Sequence, residues 1–141
     1  MTTFDKAAAE QMLTSVFAPW VQELNLSIER LETDGAVLRM RFSERLCRDN
    51  GVVCGQALMG LADTAMVFAV SSAAGAYRPM TTVDQTTHFL RPAANADVLA
   101  QARVVRLGRT MAFGSVTLTA DGDDRPVAVA QLAYALLGEG K

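Results

Sequence analysis

The sequence predicts an α+β fold in which one long buried helix lies against an antiparallel sheet of about six strands. Three observations predict it. Between Ala57 and Val70 only Asp63 and Thr64 are polar, and a helix that is apolar all round is a buried one. Segments with strand character outnumber helical ones, and most of them are consecutive. Turn signals at Asp34-Gly35, at Gly108 and in "DGDDR" separate them at hairpin spacing. Runs of strands beside a segregated helix form an α+β layer architecture.

In chain order, residues 4–17, "FDKAAAEQMLTSVF", are Ala-rich and free of Gly and Pro, which predicts a short helix. Pro19 is expected to end it. "LSIERLETDGAVLRMRF" reads as two strands around Asp34-Gly35, and "RDNG" as a loop. The apolar helix is expected from about Gly55 to Ala74, closed by Gly75 and Pro79. Four strand segments follow. They are "TTVDQTTHFLRP", "DVLAQARVVRLG" and "RTMAFGSVTLTADG" on either side of Gly108, and "RPVAVAQLAYALL". The 141 residues, half of them hydrophobic, fit a single domain over 1–141 that begins with the short helix.

Composition excludes several classes of function. Thirteen basic and 15 acidic residues give a formal net charge of −2 with no basic block, which argues against a nucleic-acid partner. No segment has 18 or more uninterrupted apolar residues, so no membrane span is expected. The start "MTTFDKAAAEQ" lacks a secretory layout, and a cytoplasmic protein is expected. Cys47 and Cys54 form no CxxC pair, and with one histidine, His88, a Cys/His metal site is not expected. No Walker loop, dinucleotide fingerprint or G-x-S-x-G elbow is present.

Asp63 is the residue that needs an explanation. An unpaired carboxylate in an apolar setting costs several kcal/mol in effective terms. A mid-helix aspartate cannot cap its own helix. Either it bonds backbone nearby or it marks a site, as buried ionisable groups often do.

The words "NGVVCGQALMGLADTA", "TTVDQTTHFLRPA" and "VVRLGRT" occur in this order over residues 20–137. In these the chain resembles the hotdog-fold acyl-CoA thioesterases of the phenylacetate-degradation type. The resemblance implies a long helix wrapped by an antiparallel sheet, and hydrolysis of acyl-CoA thioesters without metal or cofactor. It gives Asp63, in "LADTA", the role of nucleophile or of general base on water. It gives the Gly55 N–H the role of polarising the thioester carbonyl, and Thr82, before Val83-Asp84, that of placing the water. Asn50, Cys54, Gln56 and Val83 border these positions and are candidates for substrate contact.

The loop departs from the family pattern. His-Gly-Gly is usual where Cys54-Gly55-Gln56 stands here. Arg48 occupies the position of a frequent family asparagine, which Asn50 replaces only if the loop shifts by two. The Gly55 contact is main chain and survives both changes. Cys54 reads as a small packing residue in the histidine's place, the alternative being a thiolate nucleophile at a helix start. Arg91 and Arg109 are candidates for holding CoA phosphates, or else ordinary strand-end charges. His88 lacks partners in the sequence and reads as structural or surface. Met59, Met66, Phe68 and Met80 fill core or line an acyl tunnel. Hydratases of this fold pair the aspartate with a histidine five residues on, where this chain has Phe68. A non-catalytic acyl-CoA binder or sensor is the main rival.

Gly55 and Asp63 lie eight residues apart, about 12 Å along one helix at 1.5 Å per residue. If both act on one carbonyl they come from different subunits. A homo-oligomer built on a twofold dimer is therefore expected, with a dimer of dimers as its larger form.

Overall fold

The computed structural model describes residues 4–138. Residues 1–3 and 139–141 of the expected domain lie outside the described residues. Three helices, α1 (Lys6–Leu13), α2 (Pro19–Gln22) and α3 (Gly55–Ala74), accompany six strands. The strands are β1 (Leu26–Glu32), β2 (Gly35–Met40), β3 (Met80–Phe89), β4 (Val98–Leu107), β5 (Met111–Ala120) and β6 (Pro126–Leu136). All pairings are antiparallel, in the order β1-β2-β4-β5-β6-β3. This is the α+β hotdog fold that the resemblance implied, a long helix held in the concave face of a six-stranded sheet.

α3 begins and ends where the sequence places it. Gly75 closes it in the left-handed region, at φ 84, and donates to the Ser71 and Ser72 carbonyls. α3 also has the length and mean hydropathy of a membrane-crossing segment, but most of it is buried in the fold. Met66 and Phe68 are fully buried. Met66 presses on Gly114 of β5, where a Cβ would stand 2.0 Å from the methionine methyl carbon. Gly114 is therefore a requirement of helix–sheet packing.

Two expectations need correction. The first helix ends at Leu13, and Pro19 opens a second short helix at its first position, where a missing N–H costs nothing. The β1–β2 turn is Thr33-Asp34, because Glu32 already pairs with Gly35. Gly35 serves close approach, since a Cβ there would lie 2.5 Å from the Ala102 carbonyl oxygen of β4. Cys47 forms an isolated bridge with Val53 outside any strand and donates its thiol to the Ser43 carbonyl.

β3 is not a neighbour of the strands adjacent to it in sequence. The crossover through α3 carries it beyond β6, where it becomes an edge strand. It contains a bulge. Thr82 faces Tyr134 and Asp84 faces Ala133, so Val83 is the extra residue.

Candidate active site

The helix dictates which residues line its open side. At 100° per residue Gln56, Met59 and Asp63 share one stripe. The sheet covers one flank of α3, through Met66 on Gly114, and the N-terminal segment covers the other, through Phe17 on Phe68. Gln56 and Met59 are exposed and Asp63 is half-buried. The sequence placed Asp63 in a largely apolar setting, whereas the structure puts it on the open stripe with polar partners.

Two hydroxyls hold its carboxylate. Thr82 Oγ1 donates to Asp63 Oδ1 at 2.8 Å. The Tyr134 hydroxyl reaches the same Oδ1 and lies 2.6 Å from the Asp63 main-chain oxygen. Thr82 and Tyr134 are cross-strand partners on β3 and β6, so the sheet register fixes both donors at once. Burial, followed by the charge and hydrogen bond of Asp63, pushes the Tyr134 phenol far above its ordinary range. It therefore remains a protonated donor across the whole range in which the protein would work. Both hydroxyls engage Oδ1 and leave Oδ2 without either donor.

Sequence reasoning found Asp63 and Thr82 and missed Tyr134. The available signal was a tyrosine between Leu132 and Leu136 on the inward face of β6, where a buried phenol needs a partner.

Gly55 lies at the other end of the open stripe. It is the first residue of α3, and its N-cap, Cys54, makes no side-chain hydrogen bond. The first-turn N–H groups are thus free of a side-chain cap. A Cβ on Gly55 would stand 3.3 Å from the Phe89 ring of β3. Gly55, Phe89, Leu90 and Arg91 line a cleft of about 450 Å³. The Arg91 guanidinium donates to the Pro126 carbonyl.

The remaining candidates are dispersed. Asn50 is exposed in a left-handed backbone conformation, at φ 62. Val83 is 58% exposed at the bulge. Arg109 is exposed in the β4–β5 turn, next to Thr110, whose carbonyl accepts from Leu136. That turn lies at the Tyr134 end of β6, away from Gly55 and Arg91. His88 is exposed. It shares the face of β3 turned away from α3, since its neighbour Phe89 lies against Gly55. One chain therefore carries two separate groups of candidate residues, an Asp63–Thr82–Tyr134 cluster and a Gly55–Cys54–Arg91 cluster.

The sequence profile of the thioesterase superfamily matches residues 50–127, which include Gly55, Asp63, Thr82 and Arg91 but not Tyr134. The chain belongs to the thioesterase superfamily. A candidate thioesterase from Silicibacter sp. TM1040 is 31% identical, with 98% of this chain and 96% of that one covered and a TM-score of 0.86. A thioesterase from Haemophilus influenzae (21% identity, 99% and 95% covered, TM-score 0.87) has the same fold. So does the PaaI protein of the Escherichia coli phenylacetic acid degradation operon (21%, 95% and 95%, TM-score 0.80). No curated protein matches the sequence. Family and fold together support thioester hydrolysis as the general activity.

Proposed function

We propose that this thioesterase-superfamily protein hydrolyses acyl-CoA thioesters at a site shared between two copies of the chain. The observation that carries the reading is the Asp63 carboxylate, fixed by Thr82 and Tyr134 on the open stripe of α3 with one oxygen left for chemistry. Asp63 attacks the thioester carbonyl or takes a proton from the water that does. The Gly55 N–H of the second copy, at the positive end of its helix, stabilises the oxyanion. Losing such a donor typically costs about 3 kcal/mol of barrier. The C–S bond then breaks, and CoA departs as a stable thiolate that needs little acid assistance; where water attacks, the free acid forms directly, and where Asp63 attacks, water hydrolyses the resulting mixed anhydride to release the acid and restore the carboxylate.

Dimensions support a shared site. α3 runs without interruption from Gly55 past Asp63, so the two residues are about 12 Å apart within one chain. The edge strand β3 carries both halves, with Thr82 at Asp63 and Phe89 at Gly55. An unpaired edge is a template for a second strand. Antiparallel pairing of β3 with its own copy, about a twofold axis midway between Thr82 and Phe89, brings the Asp63 end of one chain to the Gly55 end of the other. Exposed Val105 and Phe113 stand on the opposite face of the sheet, which suits that face to joining two dimers.

The test is thiol release from a panel of acyl-CoAs. Asp63→Asn should lower kcat by roughly three orders of magnitude or more, as expected for loss of a base or nucleophile, with circular dichroism unchanged. Normal turnover by that variant would remove Asp63 from the mechanism. If the wild type binds CoA but cleaves none of the panel, the protein is an acyl-CoA binder.

A further inference from the structure

Trp20 is the single tryptophan of the chain, and no step described so far uses it. It is the second residue of α2, and its ring lies against Gly60 of α3. A Cβ on Gly60 would stand 3.3 Å from the indole Cη2 and 3.4 Å from Leu24 Cδ1. A side chain at position 60 would therefore displace the ring. Despite that seat, Trp20 is 57% exposed, whereas an indole with a packing role alone buries most of its surface.

Its position relative to Asp63 follows from the helix. Gly60 precedes Asp63 by three residues, one turn away and about 60° round the axis, on the side turned from the sheet. The open stripe of Gln56, Met59 and Asp63 is thus a floor with two walls. β3 forms one, with Gln85 Nε2 donating to the Met59 carbonyl at 3.3 Å and the Phe89 ring over Gly55. Trp20 forms the other. Behind the indole lies a cleft of about 530 Å³, to which Trp20, Leu24, Asn25, Arg45 and Leu46 contribute. Trp20 thus borders both that cleft and Gly60 of α3.

We propose that Trp20 is the wall that limits the acyl group of the substrate, so that the indole sets how long a chain fits beside Asp63. The inference rests on the acyl-CoA reading above. A thioester carbonyl placed at Asp63 has its CoA sulfur on one side and its acyl carbon on the other. An apolar surface one turn away is within reach of the first carbons of the chain. Removing the indole joins the stripe to the cleft behind it and gives a longer chain a place to lie. Substitution of one wall residue changes selectivity through apolar contact, where each methylene is worth about tenfold or more in kcat/KM.

Two measurements test this. The first is kcat/KM for wild type, Trp20→Phe and Trp20→Ala on straight-chain acyl-CoAs of increasing length. Trp20→Ala should raise the ratio of long-chain to short-chain kcat/KM by about tenfold or more, with Trp20→Phe between it and wild type. A uniform change across all lengths overturns the proposal. The second needs no turnover. As the only tryptophan, Trp20 is the sole source of indole emission in the wild type. Titration with an acyl-CoA thioether should change that emission, and free CoA should not. Turnover with a silent indole retains the hydrolase reading and overturns the wall. An indole response to the thioether, without turnover of any acyl-CoA, overturns the hydrolase reading and upholds the wall.

Discussion

Tyr134 shows how one side chain joins structure to chemistry. Its ring is 2% exposed in the core and its hydroxyl holds the Asp63 carboxylate. Tyr134→Phe should retain the packing and remove one donor. The expected loss is about 1 kcal/mol of stability and a comparable rise in barrier, read as a lower midpoint of thermal unfolding and about a fivefold lower kcat. The pH dependence has a definite sign. The folded phenol titrates above the unfolded one, so this contribution to stability is complete below the unfolded value near 10 and is lost as pH rises beyond it. Thermal unfolding should therefore fall more steeply above about pH 10 in wild type than in Tyr134→Phe, where the group is absent. Equal slopes would show that the phenol does not couple to folding. At this scale the sequence disclosed Asp63, because a lone charge in an apolar helix contrasts with its neighbours. It did not disclose Tyr134, since a tyrosine in an apolar strand looks like ordinary core until the register brings its hydroxyl to a partner on another element.

Among the elements, α3 was legible to the residue because an unbroken apolar run, a glycine stop and a following proline all agree. The N-terminal segment was not. Local composition favours helix throughout residues 4–17, but Thr14 caps the helix early and Pro19 starts a new one. Proline punctuates a helix from either side, and sequence alone leaves the side open. Gly35 offers the same lesson. It looks like a turn residue beside Asp34, yet its lack of a Cβ serves contact with the Ala102 carbonyl. Gly35→Ala should thus disturb the β2–β4 pairing and leave the turn itself intact. It should cost about 1–3 kcal/mol, as overpacking does, measured by denaturant unfolding. A neutral substitution would mean that β4 shifts freely at this point. The position of Trp20 depends on the same segment, since the short α2 is what lays the indole on Gly60.

For the whole molecule, the strand count was legible and the strand order was not. Consecutive strands suggested neighbours, but the helical crossover sends β3 to the far edge beyond β6. That displacement places Thr82 and Phe89, which touch Asp63 and Gly55, along one edge strand, and the proposed shared site is testable by complementation. Proline is tolerated at the first position of a helix and removes the N–H, so Gly55→Pro should disable one half-site and Asp63→Ala the other. Each alone should be inactive. Co-expressed, they should assemble mixed dimers with one intact site in two, recovering about one quarter of wild-type activity at random assembly. A mixture as inactive as its components would confine the site to one chain. The crossover also has a consequence in time. The β4–β5–β6 meander closes through short hairpins, whereas Met80 must find Leu136 and Phe89 must find Ala128 across two intervening strands. Distant pairings are slow because loop closure precedes any gain in contact. During refolding, the amide dichroism of the meander should recover before the ability to release thiol, because the last strand to dock is the one that brings Thr82 to Asp63.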